Sequence, residues 1–532
     1  MKLNIQLPLF LLILFCSNLF AEETLDEQLN KVNLSKIDEK PKKASGLTIK
    51  EIVQRSIDFN PSVRNARYDL AKYDSNTLKA ESKYSWKIVG GADINQGKLP
   101  FNQNNIFSGT KTQTNNYSLG TEKIFKTGTY FKVEASTRRF DSNAFENQFT
   151  TPGGFSAFGI PPLYTGAITA TLSQDLVKNS FGLLGNVDKN NSEILKNQAE
   201  INKQELSIKL SNAIVQSLVD YWSYSIADSS VKTYEQLLKN TKNIRDLTKQ
   251  KTSLGLSETF EINQWNALYS QTENLLEKAK LDKEESRRKI IRTLNLTNDS
   301  EVGETKDLIE TLPIELDYDK DLAYAFQNRG DWISLKKKEI IAEKAMANAK
   351  AGALPSFVVS GSYAYSGQNV LGPGDNFTND LNGIPSFKYH NLNANAKLNY
   401  PINDPGVKVD LRDAEILNRQ VAFLRDDLKK EIEDDIRSRI DAVVVGHKIL
   451  QNAIKTKKDS ESYYNGLLNS FRSGRFTAVA VKNALDTLVQ NELSEIQAKI
   501  NYNINLLRYE VSKNSLLKKY EIDINKYAPE EF

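Results

Sequence analysis

Residues 187–222 read VDKNNSEILKNQAEINKQELSIKLSNAIVQSLVDYW. Val187, Ile194, Ile201, Ile208, Val215 and Trp222 recur every seven residues, separated mostly by Lys, Glu, Asn, Gln and Ser. An apolar repeat of seven held over five heptads is a coiled-coil seam, because 3.5 residues per turn keeps one stripe turned toward a partner. No Pro falls in 186–256 and no Gly in 186–254. The pattern predicts a helix of about 65 residues, roughly 100 Å at 1.5 Å per residue, several times the ordinary globular length. A long surface helix of a large soluble domain would share this pattern.

The segments around it repeat a scheme. The helix breaks at Thr252-Ser253-Leu254-Gly255-Leu256 and restarts at Ser257, an N-cap residue with Glu258 behind it. A helix over 257–296, an equatorial linker and a helix over 317–353 follow. On the other side, residues 84–176 change character: Gly, Asn, Thr and aromatics rise and the period drops to two. Phe131, Val133 and Ala135 alternate with Lys132, Glu134 and Ser136, and Ile168, Ala170 and Leu172 with Thr169, Thr171 and Ser173. Residues 86–95 do the same, and 117–124 more weakly. Residues 96–115 and 141–166 read as long Gly/Asn/Phe-rich loops, and Lys126-Thr127-Gly128 as a short turn.

Short dyad-alternating strands with short turns on one side and long loops on the other are the outer-membrane barrel signature. A soluble sandwich face would alternate in the same way. The reading places Lys132, Glu134, Asn393, Asn395 and Lys397 toward a lumen, and Phe131, Val133, Ala394 and Leu398 toward lipid.

The scheme then recurs: strands over 356–400, a long helix over 407–472 with Val407, Ala414, Val421 and Leu428 seven apart, a break at Ser473-Gly474-Arg475-Phe476, and a helix over 477–513. Val63 matches Trp332 at an offset of 269, Asp175 matches Pro401 at 226, and Gly255 matches Gly474 at 219. The drop of about 43 residues means that the first half holds one extra hairpin. The expected organisation is a first repeat over 47–316 and a second over 317–516, with a C-terminal tail over 517–532.

The ends and composition bound the rest. Lys2, the apolar run 7–15 and Ala21 read as a secretory signal over 1–21, followed by a flexible charged tail over 22–46. Leu14-Phe15 do not suit a lipoprotein signal, so Cys16, the one cysteine, is expected to leave with the signal peptide. No later apolar run approaches 18 residues, so a membrane location requires a β-barrel. The 532 residues carry 70 Lys plus Arg against 67 Asp plus Glu, which favours no nucleic-acid partner. With His390 and His447 the only histidines, no Gly-rich phosphate loop and no nucleophile set, neither an enzyme, a metal site nor a cofactor is expected.

These features together resemble the TolC-like outer-membrane efflux protein family over about residues 48–513. Asn60-Pro61-Ser62-Val63 is similar to the family's helix start. Leu172-Ser173-Gln174-Asp175-Leu176 and Leu398-Asn399-Tyr400-Pro401-Ile402 are similar to its Gln-Pro-Leu strand-to-helix junction. Ser253-Leu254-Gly255-Leu256 and Phe471-Arg472-Ser473-Gly474 are similar to its two tip turns.

The resemblance implies an α+β membrane protein, an internally duplicated protomer of long coiled-coil helices plus strands. It implies a homotrimer in which a transmembrane β-barrel in outer-membrane lipid continues as a periplasmic α-helical barrel. The implied function is a passive duct of a tripartite efflux or type I secretion system, docking a periplasmic adaptor and an inner-membrane pump. Leu254, Gly255, Leu256, Ser473 and Gly474 would form the adaptor contact, beyond their local role as helix stops.

Departures matter too. The usual protomer gives four strands and this one up to six, so either the trimer barrel has 18 strands or the extra hairpin lies outside it. The family's tip latch joins an acidic residue to an aromatic and an Arg; here it maps to Glu261, to Phe471 without a hydroxyl, and to Arg472 or Arg475 flanking the expected position. The family's acidic constriction positions hold Ala480 and Asn483. Two other classes compete: a membrane-anchored structural or adhesive coiled-coil trimer, which would need one anchor where this chain has two, and a secreted enzyme.

Overall fold

The structure, a computed structural model, describes residues 46–70, 72, 74–100, 109–144, 162–178, 186–255, 259–303, 308–313, 316–369 and 389–523. In chain order the elements are α1 (Ile49–Phe59), α2 (Pro61–Leu70), α3 (Ser75–Glu81), β1 (Lys87–Lys98), β2 (Lys111–Ile124), β3 (Tyr130–Ser142), β4 (Leu163–Asp175), α4 (Val187–Ser253), α5 (Thr259–Thr293), α6 (Tyr318–Asn328), α7 (Gly330–Gly352), β5 (Ser356–Asn369), β6 (His390–Asn399), α8 (Pro405–Arg472), α9 (Ala478–Ser512) and α10 (Leu516–Lys519). The expected signal peptide and almost all of the expected tail lie outside the described residues. The chain divides into a unit of residues 74–199 and 337–423 and a unit of residues 1–73, 200–336 and 424–532.

The first unit holds one six-stranded antiparallel sheet in plain chain order, β1 to β6. The extra hairpin is β2–β3, paired on both sides within that sheet. Gly128, at φ +79°, makes its tight turn, closed by the Gly128 N–H on the Phe125 carbonyl at 2.8 Å. The sequence reading put a loop at 96–115, yet Asn95, Gln96, Gly97 and Lys98 pair with Thr114, Gln113, Thr112 and Lys111. Where both faces of a strand are polar, alternation leaves no mark in the sequence.

The strand-to-helix junction explains a motif departure. Where the family has Pro, Asp175 accepts the Ser356 hydroxyl at 2.7 Å and the backbone N–H groups of Val177 and Lys178 at 2.9 and 3.0 Å. Gln174 accepts the Thr129 hydroxyl at 2.5 Å. The carboxylate therefore ties β4 to β5 and turns the chain out of the sheet. Replacing Asp175 by Ala leaves these donors without their partner and is expected to cost about 1–3 kcal/mol. The expected readout is a lower melting temperature of the purified protein; an unchanged one would remove the tie from this account.

The second unit is helical. Thr48 and Glu51 form a capping box that starts α1. Asn60 ends α1 and caps α2, accepting the Ser62 N–H at 2.9 Å, with Pro61 at the first helical position, where its missing N–H costs nothing. Ile52, Ile57, Leu210, Ile214, Leu218, Tyr221 and Ile290 fill its largest core and are each essentially sealed from solvent. Each such side chain contributes roughly 1.5–3 kcal/mol.

Of the apolar heptad of 187–222, Ile201 and Trp222 are buried, Val187, Ile194 and Val215 are half-buried and Ile208 is 37% exposed. A second stripe of α4, Leu206, Ala213, Asp220, Ala227, Tyr234, Thr241 and Thr248, again seven apart, is buried throughout except for the partly buried Tyr234. Asp220 is stabilised there by Lys289 at 2.9 Å and the Thr293 hydroxyl at 2.9 Å. The stretch expected as one helix over 317–353 breaks at Arg329. Its guanidinium binds Asp331 at 2.7 Å, Asp435 at 3.1 Å and the Ser512 carbonyl at 3.0 Å. Nearby, burial and then the Asp321 carboxylate raise the Tyr509 hydroxyl well above the usual phenol range.

Candidate pore lining and helix-tip turns

The sheet register sorts every strand residue onto one of two faces, since paired residues share a face. Lys132 pairs with Glu122 and Thr171, Thr171 with Ser362, and Ser362 with Asn393. Asn395 and Lys397 follow at two-residue steps, and Glu134 follows Lys132. All five residues read toward a lumen thus lie on one face, and Lys132 and Glu134 form an ion pair on it. Phe131, Val133, Ala394 and Leu398 lie on the other face, with Ile94, Leu172 and Leu392. Ile94, Leu172, Leu392 and Leu398 are each more than half exposed. A single copy leaves this apolar face uncovered.

Aromatics gather at the end of that face where β1 begins. Trp86 packs edge-on against Phe131 with ring centroids 6.4 Å apart, and the Lys123 ammonium lies 5.2 Å from the Trp86 ring. Tyr130, at the same end of the sheet, lies on the polar face, where its hydroxyl donates to Glu122 at 2.8 Å.

The tip turns lie at the ends of α4 and α8. Gly255 and Gly474 have φ of +73° and +78°, and a Cβ at either would meet nothing within 4 Å. At Gly474 the Arg475 N–H donates to the Ser470 carbonyl at 2.9 Å and the Gly474 N–H to the Phe471 carbonyl at 3.0 Å, a Schellman stop. Leu254, Ser473 and Gly474 are exposed, and Leu254 is 73% so. Leu256 lies outside the described residues.

Among the described residues no ion pair joins Glu261 to Arg472 or Arg475 within the protomer, although Glu261 has other partners. The tie that does exist was missed by the sequence reading. Lys251 in the last turn of α4 donates to the Phe471 carbonyl, and its ammonium lies 4.1 Å from the centre of the Phe471 ring. A cation thus meets the carbonyl end of α8, where it shares the Phe471 carbonyl with the Gly474 N–H. The one available signal was a Lys in a final helical turn, which many helices have.

The helix α8 carries two stripes. Ala414 and Val421 are buried, whereas Val409, Ile416 and Phe423, also seven apart, are exposed, Phe423 by 72%. No helix among the described residues is long and apolar enough to cross a membrane, and no group of three or more His, Cys, Asp or Glu there could hold a metal ion.

No protein-family model matches the sequence, and no curated protein does. Solved structures do match. The outer-membrane channel OprN aligns over 90% of this chain and 95% of its own, with a TM-score of 0.63 and 15% identity. The CmeC outer-membrane channel of Campylobacter jejuni aligns over 90% of each chain, with a TM-score of 0.62 and 12% identity. The MtrE outer-membrane channel of Neisseria gonorrhoeae, in its open state, aligns over 88% of this chain and 89% of its own, with a TM-score of 0.62 and 14% identity. At these identities the likeness is one of fold, and the fold of this chain is that of the TolC-like outer-membrane channels.

Proposed function

We propose that this chain is the outer-membrane duct of a tripartite efflux or type I secretion system, a passive conduit and not an enzyme. The observation that carries the reading is the two-faced sheet with open edges. β1 and β6 each expose a row of backbone donors and acceptors that lipid cannot satisfy, so the sheet must close on further copies. Because six is even, β6 of one copy meets β1 of the next antiparallel. The exposed second stripe of α8 supplies a matching helical contact, and three copies form the homotrimer. The location is the outer membrane with a periplasmic helical extension. Leu254, Gly255, Leu256, Ser473 and Gly474 meet a periplasmic adaptor, which links the duct to an inner-membrane pump.

An idle duct must be closed. Glu261 of one copy pairs with Arg472 or Arg475 of its neighbour in this proposal, while Lys251 holds the two tips of each copy together. One exposed pair is worth only about 0–1 kcal/mol, but several copies share one narrow aperture. Purified trimers in planar bilayers provide the test. Discrete channels are expected, with higher single-channel conductance for Glu261→Gln and for Arg472→Ser with Arg475→Ser, most clearly at low salt, where screening is weakest. No channel under any condition contradicts the duct; channels with unchanged conductance in both variants remove the latch alone.

A further inference from the structure

The strand count sets the width of a closed barrel and hence what it can pass. If β2–β3 stood outside the barrel, both of its faces would meet water. Its residues instead continue the two faces of their neighbours: Tyr117, Leu119, Phe131 and Val133 extend the apolar face of β1 and β4, with Thr121 between them and Lys123 and Arg139 toward its ends. β2 and β3 have 14 and 13 residues, more than the roughly 9–11 that a tilted strand needs to span a bilayer. All six strands therefore have spanning character. At a strand spacing of about 4.8 Å and a tilt of about 40°, a barrel measures roughly 24 Å across its backbone with 12 strands and roughly 36 Å with 18.

The wall has its own chemistry. On the polar face Lys132 and Glu134 neutralise each other, and Lys87 stands opposite Glu122, which accepts the Tyr130 hydroxyl at 2.8 Å. Arg138 shares a row with Asp93, which accepts an Asn116 amide N–H at 3.4 Å, and with Lys397 on β6 the cations and carboxylates nearly balance. Asn, Ser and Thr dominate the rest, with Asn391, Asn393, Asn395 and Asn399 in one file on β6. Rings of one charge select ions; amides and hydroxyls with cancelling charges select neither sign and wet any hydrophilic surface.

Resting on the duct reading, we infer that three copies close an eighteen-stranded barrel whose width and amide- and hydroxyl-rich wall admit a hydrated polypeptide cargo, which a twelve-stranded barrel would not clear. The wall holds the cargo at no fixed point; it keeps it wet and lets it slide.

Thiol labelling from outside the cell reads the barrel apart from the tips. Thr171→Cys lies on the polar face near the helix-side end of β4, and its neighbour Ala170→Cys lies on the apolar face. Each variant is exposed to a small maleimide and to a maleimide-polyethylene glycol about 20 Å across, which clears an 18-strand barrel but not one of 12 after side chains narrow it. The inference expects both reagents to label Thr171→Cys and neither to label Ala170→Cys. Labelling of Thr171→Cys by the small reagent, with loss of labelling by the polymer, overturns the wide barrel and leaves the duct standing. Equal labelling of both positions, or of neither, overturns the duct reading and this inference with it.

Discussion

Export is expected to fall to background when Gly255 and Gly474 are both replaced by Val, while trimers still reach the membrane. Both glycines sit in the left-handed region, at φ of +73° and +78°. There a β-branched residue is strained by roughly 1–2 kcal/mol. Open space around each Cβ position rules out a steric clash with the core. The penalty is thus confined to the turns, which must change course and carry Leu254 and Ser473 away from the adaptor. Asn tolerates this conformation, so Gly255→Asn with Gly474→Asn is expected to retain most export. A transport assay beside a trimer blot checks both. Full export in the Val double variant places the adaptor contact elsewhere.

The second large effect is expected in the sheet. Val133 pairs with Thr121 and Ala170 on the apolar face, and Ser362 with Thr171 and Asn393 on the polar face. An Arg facing lipid near mid-bilayer costs about 2–4 kcal/mol, incurred in all three copies at once. Val133→Arg should sharply reduce heat-resistant trimers on gels, and Ser362→Arg should leave them nearly intact. Equal loss in the two variants would mean that the faces carry no lipid–water distinction.

The α+β class and the long helices were legible because both rest on periods: seven in the helices and two in the strands. The seam was placed in part. Ile201 and Trp222 of the apolar heptad are buried, but so is a second stripe through Ala213, Asp220, Ala227, Thr241 and Thr248. Close helix packing takes small residues, and a buried carboxylate or hydroxyl is tolerated when it is bonded, as Asp220 is to Lys289 and Thr293 and Thr248 is to the Ile244 carbonyl; the buried Thr241 hydroxyl has no partner among the described residues. A search for apolar side chains passes over such positions. β2 was blurred for a related reason, since Thr112, Gln113, Thr114 and Asn115 put polar groups on both faces. Asp175 was read only as part of a junction motif, and the structure gives it work, as an acceptor for Ser356, Val177 and Lys178. Lys251 at the tip could not have been found, because its partner Phe471 is 220 residues away in the chain.

The central claim is that this sheet has no free edges in its working state. An electron-microscopy map of the protein purified in lipid nanodiscs tests it most directly. The predicted map has three copies around one axis, β6 of each paired antiparallel with β1 of the next, eighteen strands inside the lipid belt, and the face of Lys132, Asn393 and Lys397 turned inward. A chain without a lipid belt, or a sheet whose β1 and β6 edges stay unpaired in the particle, would contradict it.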